Sequence, residues 1–269
     1  TTVPPGTCEK VLKPTLYEEL RKRKILEDSV FIAHSYERVM PGKEYFNSII
    51  NYWRVYAGVN KQSAQVARHF LETVINTDDY PLTELSSTTA SETGKVLENA
   101  YRATNIAFIE EWRRFAEEIG INLFEVIDAI RVRPTHSNIR FPGFGVGGYC
   151  LTKDPLFGFV STNQLFNSKA VDFPFSQKAV QINIEMPIGT IRLLEKKLGD
   201  LNGKKVLLLG VSYREDVGDT RYSPSEVFVK KCEQAGVLIN CHDPYVRYWP
   251  ELEREVLSGE LPSPEEYDA

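Results

Sequence analysis

The chain has 269 residues, 26% charged and 42% hydrophobic, with a formal net charge of -5. That length gives two modest domains or one large one, with ample material for a core. The acidic balance argues against a nucleic-acid or anionic-membrane surface, and the longest apolar runs, such as KKVLLLGV, are far too short to span a bilayer.

No secretory leader pattern is visible. Cys8, Cys150, Cys232 and Cys241 are scattered, with no C-x-x-C pair and no histidine at metal spacing. Neither a zinc site nor a disulfide framework is expected, and a reducing, cytoplasmic compartment fits best. The chain opens on TTVPPGTCEK without an initiating Met and closes on SPEEYDA, so it is expected to be part of a longer protein.

Residues 1 to 82 alternate between strand and helix patterns. CEKVLKPTLYEELRKR predicts a helix interrupted at Pro14, VFIAHS and WRVYAGV predict short strands, and KQSAQVARHFLETVI predicts an amphipathic helix. This is the expected tail of an α/β domain. A helical region follows. Thr89 to Glu92 has the capping-box form, and Gly120 is a good stop. Leu97, Ala100, Thr104, Ala107, Phe108, Phe115 and Ile119 form one apolar stripe, expected to pack in the core or, if too broad, against a second subunit.

Asn122 is expected to cap LFEVIDAIR. FSQKAVQINIEMPIGTIRLLEKKLG predicts a long connecting helix bent or broken near Pro187. From residue 204, strand KKVLLLG, helix SPSEVFVKKCEQAG and strand VLINCHD make half of a Rossmann-like nucleotide-binding fold, with Asp243 at the second strand's end.

In IRFPGFGVGGYCLTKDP, Gly143, Gly145 and Gly148 have the G-x-G-x-x-G spacing of a dinucleotide loop. That fingerprint needs a buried strand before it and an acid about 20 residues beyond. The lead-in RPTHSNIRFPG carries Pro134 and Pro142 and no apolar run, so the cofactor reading fails. Two readings remain: glycines that let the backbone wrap a polar ligand with Cys150 at the pocket wall, or a flexible loop beside a structural cysteine.

Other residues are open in the same way. Glu92, Lys95 and Asn99 share one helical face, which is either solvated or presents a cation and an amide to an oxyanion. Lys153 and a helix N-terminus are suited to activating Cys150, and Asp154 to holding a water or acting as a base. Arg214 and Arg221 lie in the loop after a parallel-type strand, where open α/β sheets bind ligands and where arginines suit phosphates.

Taken in order, TTVPPGT, YERVMPG, SETGKVLENAYRATNIAFIEEW, PGFGVGGYCLTKDP and VSYREDVGDTRYSPS resemble the UDP-glucose/GDP-mannose dehydrogenase family of nucleotide-sugar 6-dehydrogenases. The resemblance spans nearly the whole chain. It implies an α/β fold in three parts: residues 1–82 as the end of an NAD-binding Rossmann-like domain, 83–186 as a central helical domain that dimerises and carries the cysteine loop, and 187–269 as a connecting helix and partial UDP-sugar-binding domain. The NAD fingerprint would lie upstream of Thr1, and the chain alone is expected to be inactive.

The implied reaction oxidises the C6 alcohol of a nucleotide sugar to a uronic acid with two NAD, through a thiohemiacetal and a thioester on Cys150. By the same resemblance Lys95 and Asn99 stabilise the oxyanion, Thr2 and Asp154 position water, and Glu37 serves thioester hydrolysis. Arg221 and Lys153 fall to the cofactor, while Gly143, Gly145, Gly147, Gly148, Tyr149 and Arg214 fall to the sugar nucleotide. No metal is implied. The implied partners are a UDP-hexose or UDP-N-acetylhexosamine, with ERVMPG leaning toward the N-acetylated branch, and a second copy of the chain.

Departures from the family pattern are Tyr36 and Thr152 for prolines, Arg214 for lysine and Tyr222 for glutamate. His136 stands where an arginine crosses the dimer, with Arg131, Arg133 and Arg140 nearby. Two alternatives stay open: a non-catalytic nucleotide-sugar-binding or dimerising fragment, and a cysteine hydrolase or acyltransferase. No histidine in the sequence pairs clearly with Cys150, which counts against the last.

Overall fold

The computed structural model describes residues 1–40 and 42–269; Pro41, in the YERVMPG stretch, lies outside the described residues. The fold is α/β, and the chain divides into two compact units. The first comprises Thr1–Ala100 with Asp154–Pro174, and the second Tyr101–Lys153 with Phe175–Ala269.

The first unit begins with a π-helical turn, Cys8–Leu12, that runs directly into α1 (Lys13–Lys22). The helix is therefore not interrupted at Pro14. The proline occupies the first turn of α1, where a missing N–H costs little. Strand β1 (Ala33–Ser35) pairs antiparallel with β2 (Val55–Gly58), which pairs parallel with β3 (Thr83–Glu84). Helix α2 (Tyr45–Ile50) lies between the first two strands in the chain. Asn60 caps α3 (Lys61–Glu72), its side chain accepting from the Ser63 amide.

Helix α4 (Thr88–Ile119) passes from one unit into the other. Its cap is Ser87, whose Oγ accepts from the Ala90 amide at 3.1 Å, so the expected Thr89–Glu92 box does not form. The released Glu92 carboxylate is wholly buried and accepts from the amides of Gly6 at 2.6 Å and Cys8 at 2.8 Å. It thereby caps the Cys8 turn, whose own residues supply no side-chain cap.

The expected apolar stripe of α4 is split, with Ala107 in the core and its large members outside it. Leu97, Phe108, Phe115 and Ile119 are exposed, while the buried side carries Val96, Ala103, Ala107, Ile109 and Ala116. Small residues on that side permit close packing: Ala103 and Ala107 meet Ala179 of α8 (Pro174–Leu198). Of the bend or break expected near Pro187, the break does not occur: α8 runs through it as one helix.

The remaining helices are α5 (Leu123–Arg131), capped as expected by Asn122, then α6 (Tyr149–Lys153) and α7 (Phe157–Val160). In the second unit, β4 (Lys205–Leu209), α9 (Pro224–Gln234) and β5 (Leu238–His242) form the expected parallel strand–helix–strand. A small antiparallel pair, β6 (Tyr248–Trp249) and β7 (Arg254–Glu255), follows. Val206, Val211, Phe228, Val229, Ile239 and Trp249 belong to the core here. No helix among the described residues is long and apolar enough to cross a membrane.

Candidate active site

In the first unit, α4 carries the predicted polar face inward. Glu92, Lys95 and Asn99 are 0, 8 and 7% exposed, so this is not a solvated face. Lys95 Nζ donates to the Glu37 carbonyl at 2.9 Å and lies 3.6 Å from the Glu37 carboxylate. Asn99 Nδ2 donates to Asp154 Oδ2 at 2.8 Å, and Asp154 is 1% exposed. Four of the six predicted catalytic residues, Lys95, Glu37, Asn99 and Asp154, thus form two polar pairs one turn apart on α4.

Thr2 is half-buried next to Thr1, whose carbonyl meets His34 Nε2 at 3.0 Å. The other His34 nitrogen, Nδ1, meets Ser91 Oγ at 2.9 Å. A carbonyl only accepts, so Nε2 carries the proton and Ser91 donates to Nδ1. Burial holds His34 below its ordinary 6.5, which favours this neutral tautomer. Sequence reasoning missed His34, although its place three residues before Glu37 was a signal.

Tyr36 stands where the family pattern has proline. Its buried ring lies 5.8 Å from Lys95 Nζ and 5.3 Å from the Arg38 guanidinium. Gly94 of α4 borders that ring: an added Cβ would make ordinary contact with it, 3.4 Å from the Tyr36 hydroxyl.

In the second unit, Cys150 is exposed in the first turn of α6, above buried Leu151. Among the cysteines, Cys8 is pushed up to about 12 by burial and by the Glu92 carboxylate, and burial pushes Cys232 and Cys241 each up to about 11. Those three thiols are held protonated, which leaves Cys150 as the accessible sulfur.

The glycines before it are occupied by close contacts. A Cβ on Gly147 would lie 2.3 Å from the Tyr222 carbonyl oxygen, and one on Gly145, whose φ is +114°, 3.2 Å from the Asn183 carbonyl. The Gly148 amide donates to the Arg221 carbonyl at 3.1 Å. Gly143 has open space instead, and borders a cleft of about 370 Å³ that includes Asn122, Phe124, Pro142, Phe144 and Leu193. A larger cleft of about 480 Å³ is lined by charged residues of α4 and α8, among them Arg113, Glu117 and Arg192, and not by Cys150.

Asn183 is a second residue the sequence reading missed. Pro187 has no N–H to return to the carbonyl four residues earlier, which frees Asn183 O on the side Gly145 approaches. The Asn183 side chain then grips the loop backbone: Oδ1 accepts from the Val146 amide at 2.8 Å, and Nδ2 donates to the Val146 carbonyl at 2.7 Å.

Arg221 is exposed and bonded through Nε and Nη2 to Asp219, which raises its already high pKa. Its guanidinium lies 4.9 Å from the Tyr149 ring centre, and Tyr149 meets Tyr222 edge-on at 5.0 Å. Arg214 is exposed in the same loop, and Lys153 is exposed at the end of α6. Thr152, in place of a proline, bonds its hydroxyl to the Gly148 carbonyl at 2.8 Å.

The strand–glycine turn at Gly210 does not fit a dinucleotide pyrophosphate. Asp243 accepts from the Val211 and Ser212 amides at 3.0 and 3.2 Å, and Ser223 caps α9, so the N–H groups a phosphate would use are taken. Burial pushes Asp243 up, but the donors Val211, Tyr245 and Ser212 outweigh it and hold the carboxyl below its usual range.

Two family models match the chain: the central domain of the UDP-glucose/GDP-mannose dehydrogenase family over residues 89–185, and its UDP-binding domain over residues 207–266. UDP-N-acetyl-D-mannosamine dehydrogenase of Methanocaldococcus jannaschii is 35% identical over 92% of this chain and 52% of its own length. The crystal structure of NDP-N-acetyl-D-galactosaminuronic acid dehydrogenase from Methanosarcina mazei Go1 matches with a TM-score of 0.81 at 29% identity, over 96% of this chain and 55% of that one. UDP-D-ManNAc dehydrogenase from Pyrococcus horikoshii matches with a TM-score of 0.76 at 30% identity, over 91% of this chain and 56% of that one. The chain spans about half the length of the relatives it matches.

Proposed function

The chain belongs to the UDP-glucose/GDP-mannose dehydrogenase family, and from that premise we propose that it is the central and nucleotide-binding part of an NAD-dependent UDP-N-acetylhexosamine 6-dehydrogenase. The observation that carries this reading is one exposed thiol, Cys150, at the start of a helix behind a glycine loop, while the other three thiols are buried. The N-acetylated sugar is supported by the names of the relatives above.

In this reading the Cys150 thiolate adds to the C6 aldehyde of the half-oxidised sugar and forms a carbon–sulfur bond. The resulting thiohemiacetal loses a hydride to become a thioester, and water then cleaves the carbon–sulfur bond to give the carboxylate and restore the thiol. A nicotinamide dinucleotide, when bound, accepts the hydrides. Lys95 and Asn99 carry the donors for the oxyanion. Asp154 and Thr2 orient water, and Glu37 takes its proton during hydrolysis. Gly143, Gly145, Gly147, Gly148, Tyr149 and Arg214 serve the sugar nucleotide, and Arg221 and Lys153 the cofactor.

The exposed apolar face of α4, from Leu97 through Phe108, Trp112 and Phe115 to Ile119, supports a homodimer through the central helices. A cytoplasmic location fits the reduced cysteines.

Full-length protein supplied with UDP-N-acetylhexosamine is expected to release two NADH per sugar, with no turnover in Cys150→Ser. One NADH per sugar, or full turnover in the serine variant, would exclude the thioester route.

A further inference from the structure

Tyr213 lies in the loop after β4, seated in a slot made by the two glycines before α6. A Cβ on Gly147 would stand 2.7 Å from Tyr213 Cβ, and one on Gly148 would stand 3.1 to 3.4 Å from ring carbons Cε2, Cδ2 and Cζ. One edge of the ring, from Cδ2 through Cε2 to the hydroxyl-bearing Cζ, lies against Gly148, two residues before Cys150. Both sides of the slot are pinned. The Tyr213 amide donates to the Asp219 carbonyl at 2.9 Å, and the Gly148 amide donates to the Arg221 carbonyl at 3.1 Å. No part of the reaction described above uses this phenol.

We propose that Tyr213 is a positioning residue for the Cys150 nucleophile, its hydroxyl donating a hydrogen bond to the ionised sulfur. The charges that act on the phenol are Asp219, Arg214, Cys150 and Arg221. Burial raises its pKa first, Asp219 next, and the Cys150 thiolate pushes the same way, while both arginines oppose. The phenol therefore keeps its proton through neutral pH, as a donor must. A hydroxyl bonded to the thiolate favours the charged form and directs one sulfur lone pair, leaving another for attack.

This rests on the proposed function for the role of the sulfur, but its test needs neither NAD nor sugar. The alkylation rate of Cys150 by iodoacetamide, followed by mass spectrometry across the neutral and alkaline range, reports the ionisation midpoint of the thiol. Tyr213→Phe removes one oxygen and keeps the ring in its slot. The midpoint is expected to rise by about half a unit or more, with alkylation at neutral pH slowed about threefold or more. An unchanged or lowered midpoint overturns the proposal, as does an equal shift in Tyr222→Phe, whose ring packs on Tyr149.

Coupling between two titrating groups is reciprocal, so Cys150→Ser gives a second test that does not depend on the folding of the phenylalanine variant. Its Tyr213 phenol, followed by NMR of ring-labelled tyrosine, is expected to titrate at lower pH than in the parent; an unmoved phenol overturns the proposal. If alkylation behaves as expected while full-length protein releases no NADH, the contact stands and the dehydrogenase reading falls.

Discussion

Asn99 and Asp154, both buried, face each other across 2.8 Å, the amide of one donating to the carboxylate of the other. Removing either partner strands the other in a dry site. Asn99→Ala and Asp154→Ala are each expected to destabilise by about 1–3 kcal/mol. The double variant should fall short of the summed losses by about 1 kcal/mol. Urea denaturation of the four proteins measures this, and strict additivity would mean that the two side chains do not interact.

Gly147 and Gly143 differ although they share one loop. A methyl group on Gly147 would meet the Tyr222 carbonyl at 2.3 Å, and one on Gly143 would meet nothing within 4 Å. Tyr222 is itself held at φ +55°, so its carbonyl is poorly placed to yield. Gly147→Ala is expected to cost about 1–3 kcal/mol and to alter the alkylation rate of Cys150, whereas Gly143→Ala leaves both near the parent. Equal effects at the two positions would refute the packing account.

Acid sensitivity near neutrality should trace partly to His34. Burial depresses its folded-state pKa below 6.5, while the unfolded imidazole protonates freely. The unfolded state therefore binds more protons as pH falls below that value. The His34 contribution is present in full above it and is lost as pH falls toward the folded-state pKa. His34→Gln is expected to flatten this part of the stability–pH profile, measured as urea midpoints on either side of neutrality. An unchanged slope would show that the ring does not titrate with folding.

The outward face of α4 makes its own prediction. Trp112 meets Phe108 and Phe115 edge-on, with ring centres 6.3 and 5.7 Å apart, and all three are exposed. In the proposed homodimer, Trp112→Glu is expected to shift the protein toward monomer in sedimentation velocity, with little change in far-UV circular dichroism. A dimer of unaltered affinity would exclude this face as the contact.

The cysteine loop and the strand–helix–strand of the second unit were legible because glycine spacing, apolar runs and turn residues are local signals. The face of α4 was legible as amphipathic, but its orientation was not. Periodicity tells which residues share a side and is silent on what covers that side. The Thr89–Glu92 box misled for a related reason. Ser87 was available as a cap, and the Glu92 carboxylate reached Gly6 and Cys8, more than eighty residues away in sequence. His34 and Asn183 likewise act through partners 33 to 57 residues away in sequence. Only Pro187 hinted at the second, by announcing a carbonyl without its helical donor.

The Asn183 side chain has a wider effect. The aim of the cysteine loop is inherited from a helix some thirty residues downstream of the sulfur, where Asn183 holds Val146 by both edges of its amide. Asn183→Ala would release both edges of Val146 and loosen the seat of the loop, whereas Pro187→Ala would only return the Asn183 carbonyl to its own ladder. The Asn183 side chain of α8 is thus a docking post, and its loss would cost the loop its alignment.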